Sequence, residues 1–411
     1  MVISLSQSKQ FRFNPFDPEF NQNPYPIYAY LRENDPVHQG MLGGWVFTRY
    51  EDVKSIMRNP TVHEIPMPDG VKKKSKYIEK KGKNLDSLAN SISRWLFFLD
   101  PPDHTKMRKL VSKAFLAQSQ KHLLSQVDAI ANQLIGSALS KGEMEVMSDY
   151  ALAIPSQMFI KMLGLPEADI DLFRSWSKDL FRIFEPLMSL KTCDRMNQIA
   201  IESQEYFKAQ IKQKKANPST DLISALLTVE DGANKLTEAD VIATCMMMFT
   251  AGRETVGASI GNSILALLNY PEQLELLKQN PNIIQSASEE LMRYDSPTQL
   301  VARMATKTME FYGKTIKSGD YLILCIGAAN RDSRYFTEAD KLDLQRVNNQ
   351  HIAFATGIHS CLGAALARIE FATAINTFAQ KLNQIHLSTN NLVYRDNAVL
   401  RCLKSLPIQV S

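Results

Sequence analysis

Apolar residues recur every three or four positions over most of the chain, and this spacing predicts a mainly helical protein. The proline at position 26 should open a short helix that ends at Asn34. Further helices are expected at 50–59, 105–116, 119–141, 153–163, 168–184, 196–216, 219–228, 271–280 and 283–295. One much longer helix should run from Thr237 to about Asn269. At about 1.5 Å per residue it would measure roughly 45–50 Å and cross the whole molecule.

Alternation of apolar and polar residues predicts a minor β portion at about 25–50, 299–324 and 386–411. The first part should hold two strands within 36–49, joined by a Gly43-Gly44 turn. Strands at 308–316 and 321–324, and a strand-like region from 386 onward, complete it. The expected fold class is therefore mainly α with a minor β portion, in a single domain spanning 1–411.

Three polar stretches carry little periodicity. Residues 11–24 should be an irregular arm, and 331–350 an irregular, charged connection. Residues 60–92 form a long connection, which inside a compact domain is usually functional or mobile. Its dense basic run is interpreted as a solvated loop; the run comprises Lys72, Lys73, Lys74, Lys76, Lys80, Lys81 and Lys83.

Composition narrows the function class. With 45% hydrophobic residues the chain can bury a large core, and a net charge of +4 without a long Lys/Arg stripe argues against a nucleic-acid partner. Five scattered cysteines argue against a disulfide framework and fit a reducing compartment. Residues 1–16 lack the apolar run of a signal peptide, and the apolar stretch 241–252 is too short to span a membrane. We expect a cytoplasmic, monomeric protein without a membrane anchor.

The strongest candidate for chemistry is Cys361, in the stretch Phe-Ala-Thr-Gly-Ile-His-Ser-Cys-Leu-Gly at 354–363. An amphipathic helix follows it directly, with apolar residues at helical spacing from Leu362 to Leu382. The positive end of that helix and its unpaired N–H groups should lower the pKa of the thiol. The residues alone leave open whether the thiolate is a nucleophile or a metal ligand.

A second candidate interrupts the long helix, where Ala251-Gly252-Arg253-Glu254-Thr255 follows an almost continuously apolar half. Glycine costs about 1 kcal/mol inside a helix, and charges in a core helix are expensive without partners. One interpretation is a surface-facing kink. The other is a helix that opens locally beside a ligand, where Glu254 and Thr255 handle protons.

Two further charged pairs, each considered alone, are weaker evidence of a functional site than the two candidates above. Glu290 and Arg293 lie three apart and can pair on one helix face, which is common. His104 and Arg108, at i and i+4 on the first turns of a helix, either face solvent or bind an anionic ligand such as a carboxylate.

Taken in order along the chain, these motifs resemble the cytochrome P450 superfamily, specifically its soluble bacterial members. Residues 354–363 match the haem-ligand loop, Glu290-x-x-Arg293 the K-helix pair, and Ala251-Gly252-x-Glu254-Thr255 the oxygen-activation motif. Arg346 matches the arginine that completes the K-helix network. His104-x-x-x-Arg108, Arg303 and 329–332 are further landmarks. The resemblance covers essentially the whole chain and implies a long central helix over the haem.

The resemblance implies haem b, iron protoporphyrin IX, with Cys361 as its thiolate ligand. Phe354, Gly357 and Gly363 would shape the loop, the two glycines by letting the backbone approach sulfur and porphyrin closely. The haem propionates would be held by His104, Arg108, Arg303 and His359. Glu290, Arg293 and Arg346 would hold the cysteine loop in place as structural residues.

On the opposite face of the haem, Gly252 and Thr255 would border the oxygen site, and Thr255 with Glu254 would deliver protons. Many relatives carry aspartate where this chain has Glu254. The resemblance places a largely apolar substrate pocket at Phe181, Phe184, Met247, Met248, Ala251, Leu300, Val301 and Val399, although each could be plain core. Lysines near the cysteine, Lys106, Lys109 and Lys113, together with Arg368, could form a basic patch for an electron donor or be merely solvated.

The implied function is a haem-thiolate monooxygenase that uses O2 to hydroxylate or epoxidise a mid-sized apolar substrate, in secondary metabolism. Electrons would come from a separate ferredoxin or flavodoxin with its reductase. Variants within the class perform oxidative coupling or desaturation, or use peroxide. A non-catalytic haem sensor and a helical binding protein with a structural Cys361 are the alternatives outside it.

Overall fold

The computed structural model describes residues 13–79, 82–116 and 120–411, and its architecture is built around a 32-residue helix, Glu238–Asn269. Thr237 caps this helix, because its hydroxyl accepts from the N–H of Asp240 while the Asp240 carboxylate accepts from the N–H of Thr237. The helix is unbroken through Gly252, so the local opening, one of the two interpretations of this segment, is absent from it. Most of its side chains are buried, as a helix that is apolar on all sides requires.

The helices are numbered here in chain order. They are α1 Pro18–Gln22, α2 Tyr25–Asn34, α3 Tyr50–Arg58, α4 Met67–Glu79, α5 Asp86–Ile92, α6 Asp103–Leu116, α7 Gln120–Lys141, α8 Ala153–Leu163, α9 Ile170–Leu180, α10 Leu190–Ala216, α11 Leu222–Thr228, α12 Glu238–Asn269, α13 Pro271–Gln279, α14 Ile284–Tyr294, α15 Ile326–Ala329 and α16 Ala364–Lys381. A π-helical segment, Val146–Ala151, precedes α8. The mainly α prediction is confirmed.

The strands are short. They are β1 Val37–Gln39, β2 Trp45–Phe47, β3 Val62–His63, β4 Glu143–Glu145, β5 Glu230–Asp231, β6 Asn234–Lys235, β7 Leu300–Ala305, β8 Met309–Phe311, β9 Lys314–Ile316, β10 Tyr321–Cys325, β11 Ile385–Leu387 and β12 Pro407–Val410. Five of them form a mixed sheet in the order β1-β2-β10-β7-β3, in which only β2 and β10 run parallel.

The C-terminal strands do not join that sheet. β12 pairs with β11 on one side and with β4 on the other, and the sequence pattern did not predict β4. Residues between β11 and β12 are mostly irregular. The strands within 386–411 therefore lie in a different sheet from those within 25–50 and 299–324. A single bridge, Thr298 to Leu400, links the C-terminal segment to the start of β7.

The core has two large apolar clusters, one around each half of α12. The C-terminal half packs with α7, the π-helical segment and α16, and the N-terminal half packs with α5, α8, α9, α10 and α11. Two smaller clusters cover the faces of the five-stranded sheet. Since α12 belongs to both large clusters, it fixes the position of α16, which begins just after Cys361.

Residues 60–92 are not the long irregular connection that their polarity predicted. They contain β3, α4 and α5, and α4 buries Val71, Ser75 and Ile78 at i, i+4 and i+7. Four lysines of the basic run that was predicted to be a loop therefore lie on a helix, namely Lys72, Lys73, Lys74 and Lys76. Lys80 and Lys81 lie outside the described residues. Within 11–24 the expected irregular arm contains α1, whereas residues 11 and 12 lie outside the described part.

No helix in the described parts of the chain is long and apolar enough to cross a membrane. Residues 1–12, where a leader was judged absent, lie outside the described residues.

Candidate active site

Cys361 lies in a tight loop between irregular chain and α16. Its N–H donates to the Phe354 carbonyl at 2.9 Å, and the Ser360 N–H donates to the Gly357 carbonyl at 3.2 Å. Gly363 caps α16, and Cys361 is an exposed residue, whereas the other four cysteines are buried. The loop therefore places one cysteine at the N-terminal end of a helix.

The two loop glycines have different surroundings. Gly357 has a φ of +79°, and a Cβ there would collide with the carbonyl oxygen of Met57. Packing against α3 and the left-handed conformation therefore each require glycine at this position. A Cβ on Gly363 would meet open space, with no atom within 4 Å.

The pKa of the Cys361 thiol is raised, which is opposite to the direction predicted from the helix terminus. Burial of the sulfur among protein atoms disfavours the thiolate, and this outweighs the hydrogen bond from the Gly363 N–H and the charges of Arg108 and Arg368. The N–H donor that was predicted to stabilise the thiolate is present, but it does not offset the effect of burial. A metal ion bound to the sulfur would deprotonate it outright.

A buried ion-pair network supports the residues that precede the loop. Arg293 donates to both carboxylate oxygens of Glu290, at 2.7 and 2.8 Å, and Arg346 donates to the same carboxylate at 2.9 Å. Arg293 also donates to three backbone carbonyls, those of Asn330, Ala339 and Lys341. The three side chains predicted to form one network therefore meet, and they tie α14 to the irregular segment 331–350.

A second network beside the loop was not predicted from the sequence. Arg368 on α16 lies over the Phe354 ring at 4.4 Å and donates to Glu289 at 2.8 and 3.0 Å, and His351 contacts the same carboxylate at 3.1 Å. Burial opposes ionisation of Glu289, but these hydrogen bonds lower its pKa to about 2. The available signal was the adjacency of Glu289 to Glu290, which places it one step around α14.

The four predicted propionate-binding residues gather on one side of the cysteine loop. The His104 and His359 rings lie 4.3 Å apart, and Arg108 donates to the Ser360 hydroxyl at 3.4 Å. Arg303 on β7 completes the group through Glu64, which lies 3.0 Å from Arg303 and 3.5 Å from the His359 ring. Segments from four parts of the sequence thus converge within reach of one ligand.

The surroundings disfavour the cationic forms of the two histidines in this group. Burial and the neighbouring His104, Arg303 and Arg108 lower the pKa of His359 to about 3, and burial followed by Arg108 lowers that of His104. Only the arginines supply permanent charge. The histidines would serve an anionic ligand as hydrogen-bond donors.

These residues fit a haem. His104 Nε2 is buried and has no hydrogen-bond partner, which a ligand oxygen would supply. Gly252 on α12 and Gly363 at α16 both border space in which an added Cβ meets no atom within 4 Å. The unpaired His104 nitrogen beside two arginines, the exposed residue Cys361 and the open space at Gly252 and Gly363 together match a flat, dianionic macrocycle with iron.

The polar segment of α12 is held in an intact helix. Thr255 donates its hydroxyl hydrogen to the Ala251 carbonyl at 2.7 Å. Glu254 is 2% exposed and forms ion pairs with Arg253 and with Arg395, the latter at 2.8 Å. Arg253 in turn donates to the Ser156 hydroxyl at 2.9 Å. Arg395 and Ser156 were not predicted, because contacts across more than 90 positions leave no local pattern.

The predicted substrate-pocket residues are not brought into one cluster. Met247 and Met248 pack in the cluster around the N-terminal half of α12, whereas Phe181 packs in the cluster around its C-terminal half. Phe184 contacts both. Leu300 and Val301 face opposite sides of β7 and belong to the two sheet clusters, and the N–H of Gln299 donates to the carbonyl of Val399. Ala251 is half-buried on α12.

The predicted basic patch is partly neutralised. Lys109 pairs with Asp231 at 2.7 Å, and Lys113 donates to the Glu230 carbonyl. Arg368 is committed to Glu289, as described above. These contacts reduce the ability of the basic patch to attract an acidic partner.

A separate polar cavity of about 550 Å³ contains none of the predicted site residues. It lies beside α2 and the end of α12 and is lined in part by Tyr25, Asn262, Asp295, Arg331 and Arg401. Asp295 accepts from Tyr25 and Arg401 there, so its carboxylate is already satisfied.

Comparison with known proteins agrees with these features. The family described as Cytochrome P450 matches residues 45–400. The chain is 33% identical to the vitamin D(3) 25-hydroxylase of Pseudonocardia autotrophica, with 99% of this chain and 98% of that protein covered. It is 31% identical to the polyketide biosynthesis cytochrome P450 PksS of Bacillus subtilis (strain 168), with 98% and 100% covered.

Among solved structures, P450BioI in complex with hexadec-9Z-enoic acid ligated acyl carrier protein is 34% identical. That match covers 96% of this chain and 100% of the solved chain, with a TM-score of 0.88.

Proposed function

Because the chain belongs to the cytochrome P450 family, we propose that Cys361 is the proximal ligand of haem b in a monooxygenase of secondary metabolism. Family membership makes the chain a P450 monooxygenase, an oxidoreductase that acts with O2 and carries a haem on a cysteine thiolate. The observation that supports it most is that Cys361, an exposed residue, adjoins a cluster of two arginines and a histidine nitrogen without a hydrogen-bond partner. The single domain of 1–411 belongs to the same proposal.

The haem supplies oxygen activation when bound, with thiolate donation favouring cleavage of the O–O bond. His104, Arg108, Arg303 and His359 would hold the propionates, the arginines through charge and the histidines through ring N–H groups. The ring of Phe354, at the start of the loop, packs against the guanidinium of Arg368. Gly363 and Gly252 leave room for the macrocycle.

Proton handling is assigned to α12. Thr255 has a hydroxyl that can rotate from the Ala251 carbonyl toward the oxygen site, and Glu254 can pass protons from the side of Arg395. Arg395 is 27% exposed, whereas Glu254 is almost fully buried. Movement of Arg395 would therefore connect the carboxylate to solvent.

The substrate is proposed to be a mid-sized apolar molecule, hydroxylated or epoxidised, in a pocket drawn from the eight predicted residues. Electrons would come from a ferredoxin or flavodoxin with its reductase, and the enzyme would act as a cytoplasmic monomer. Coupling, desaturation and peroxide use remain the alternative chemistries of the same site. The intact Glu254–Thr255 pair favours O2 over obligate peroxide use.

Turnover with a surrogate ferredoxin and ferredoxin reductase tests this proposal. The purified holoprotein should consume NADPH and O2 and yield an oxygenated product from a substrate that shifts the haem to high spin. Haem incorporation with no product from any spin-shifting compound would favour the sensor alternative. Product formed only with hydrogen peroxide would replace O2 use by peroxide use.

A carrier-bound substrate is the specific form that one relative suggests, since P450BioI was solved with an acylated carrier protein. In this chain Lys72, Lys73 and Lys76 are exposed on α4. Lys74 donates to the carbonyl of Met188, four residues beyond Phe184, which is proposed for the pocket. Carrier proteins with acidic surfaces would complement such a helix.

The double variant Lys73→Glu/Lys76→Glu tests this delivery. It should weaken binding of an acylated carrier protein by about tenfold or more without changing the spin shift given by the free acid. The matched control, Lys208→Glu/Lys212→Glu on exposed positions of α10, should leave carrier binding unchanged. Equal effects of both variants, or none of either, would contradict a role for α4.

A further inference from the structure

Glu64 lies among the residues proposed to bind the haem propionates, yet it is an acid. β3 and β7 pair antiparallel, with Val62 opposite Ala305 and His63 opposite Met304. This register places the next residue, Glu64, opposite Arg303. The cross-strand pair that results is buried, with a distance of 3.0 Å between Arg303 Nη1 and Glu64 Oε2.

The other carboxylate oxygen of Glu64 lies 3.5 Å from His359 Nε2. Its backbone N–H donates to Asp100, which itself contacts His63. Glu64 is thus fixed by its own strand and by the segment before α6. Both of its oxygens point at groups proposed to receive a propionate.

The charges around Glu64 do not balance if it is ionised beside a haem. Arg303 and Arg108 carry permanent positive charge, and Asp100, which accepts from the Glu64 N–H, is a second acid beside Glu64. Two propionates add two negative charges to this cluster. A protonated Glu64 would remove one negative charge and provide an O–H donor in its place.

The surroundings of Glu64 already favour its protonated form. Burial raises its pKa to about 7, with Arg303 opposing and Asp100 assisting the shift. A propionate brought within hydrogen-bond distance adds another negative charge, which would raise it further.

We infer that Glu64 is a positioning residue for the haem, sharing Arg303 and His359 with one propionate and holding that propionate through a common proton. This inference rests on the proposed haem site. It makes haem retention depend on pH. Above the pKa of the acid pair, two carboxylates compete for one arginine and repel each other, so the haem is held less firmly.

The test is the rate of haem transfer from holoprotein to excess apomyoglobin between pH 6 and pH 9. The wild-type rate should rise by about tenfold across this range, the factor that one pKa unit of interaction represents. Glu64→Gln keeps a hydrogen-bond donor but cannot ionise, so its rate should be nearly independent of pH. The control Glu33→Gln, on an exposed pair with Arg334, should behave like wild type.

A second measurement needs no mutation. Wild-type protein reconstituted with haem dimethyl ester has no propionate charge, so its haem-transfer rate should lose the pH dependence. A pH dependence that persists with the ester, or in Glu64→Gln, would overturn the inference. Absence of bound haem in the wild type would instead overturn the proposed function, so the two failures are distinguishable.

Discussion

Thr255 is the residue whose role depends least on its neighbours. Its hydroxyl donates to a carbonyl of its own helix, at 2.7 Å, and the residue is half-buried on α12. A threonine hydroxyl bonded to the carbonyl four residues earlier is a common arrangement in helices. Its proposed role rests on its position one turn from Gly252, where an added Cβ would meet no atom of the described residues within 4 Å.

Thr255→Ala should therefore preserve haem binding while uncoupling electron use from product. The ratio of product to NADPH consumed should fall by about tenfold or more, because general acid–base groups contribute at least that much. Hydrogen peroxide should account for the missing electrons. Thr255→Ser keeps the hydroxyl and should restore most of the coupling, whereas an alanine variant with wild-type coupling would refute the proton role.

Glu290 illustrates a residue that acts through geometry. It and Arg293 are both fully buried, and its carboxylate also accepts from Arg346 and from Asn349. Removing one partner of a buried pair leaves an uncompensated charge, at a cost of about 3–5 kcal/mol. Glu290→Gln should lower the free energy of unfolding by about this amount.

Urea unfolding of the holoprotein, followed by far-UV circular dichroism, measures the effect of this substitution. The exposed pair Glu230–Lys235 provides the control, because Glu230→Gln should leave the midpoint unchanged. Similar midpoints for both variants would mean that the buried network is not a stabilising feature.

At the scale of elements, the crossing of α12 over residues 146–152 depends on two glycines. A Cβ on Gly257 would collide with the Leu152 side chain, and one on Gly261 with Met147. Both are deep in the core, where an added methyl must displace neighbours. The helices can approach closely there only because these positions lack side chains.

Gly257→Ala should consequently destabilise the protein by about 1–3 kcal/mol through overpacking. Gly136→Ala, at an exposed position of α7 with no atom near the added Cβ, should instead stabilise it by up to about 1 kcal/mol through helix propensity. Thermal unfolding of both variants compares these effects. A stabilised Gly257→Ala variant would show that the crossing has room to relax.

Local pattern predicted the elements that have strong periodicity. α8 has the predicted bounds, and α12 starts one residue after its predicted cap. α4 was missed because lysines and Ser75 obscure its buried face, in which only Val71 and Ile78 are large and apolar. β4 was missed because three residues carry no alternation, and only β12 reveals them as a strand.

The same limit applies to the site. Cys361, Glu290 and Thr255 were identified from short motifs, whose residues are neighbours in sequence. The side chains of Glu64, Glu289 and Arg395 act through side-chain partners that are distant in sequence. Contacts of that kind depend on strand register and helix packing, which single-sequence periodicity does not contain.

At the scale of the whole molecule, pH stability should reflect Glu370 on α16. It is 4% exposed, one of its oxygens has no hydrogen-bond partner, and burial raises its pKa to about 8. The folded state therefore binds a proton that the unfolded chain releases above about pH 4.5. The contribution of this proton to the free energy of unfolding is fully present below that pH and is lost as the pH rises through 8.

The free energy of unfolding should accordingly fall by on the order of 4 kcal/mol from this group between pH 5 and pH 9. In Glu370→Gln, which is neutral at every pH, that part of the fall should disappear. Urea midpoints measured across this range for both proteins give the comparison. Parallel profiles for the variant and wild type would show that Glu370 is not buried as an acid.

The account as a whole depends on Cys361 binding haem iron as a thiolate. The most direct measurement is the absorption spectrum of dithionite-reduced holoprotein with carbon monoxide. It should show the strongly red-shifted Soret band of thiolate-ligated haem; Cys361→Ala should lack it, and Cys193→Ala should retain it. Folded wild-type protein that binds haem but gives an unshifted Soret band would contradict the account.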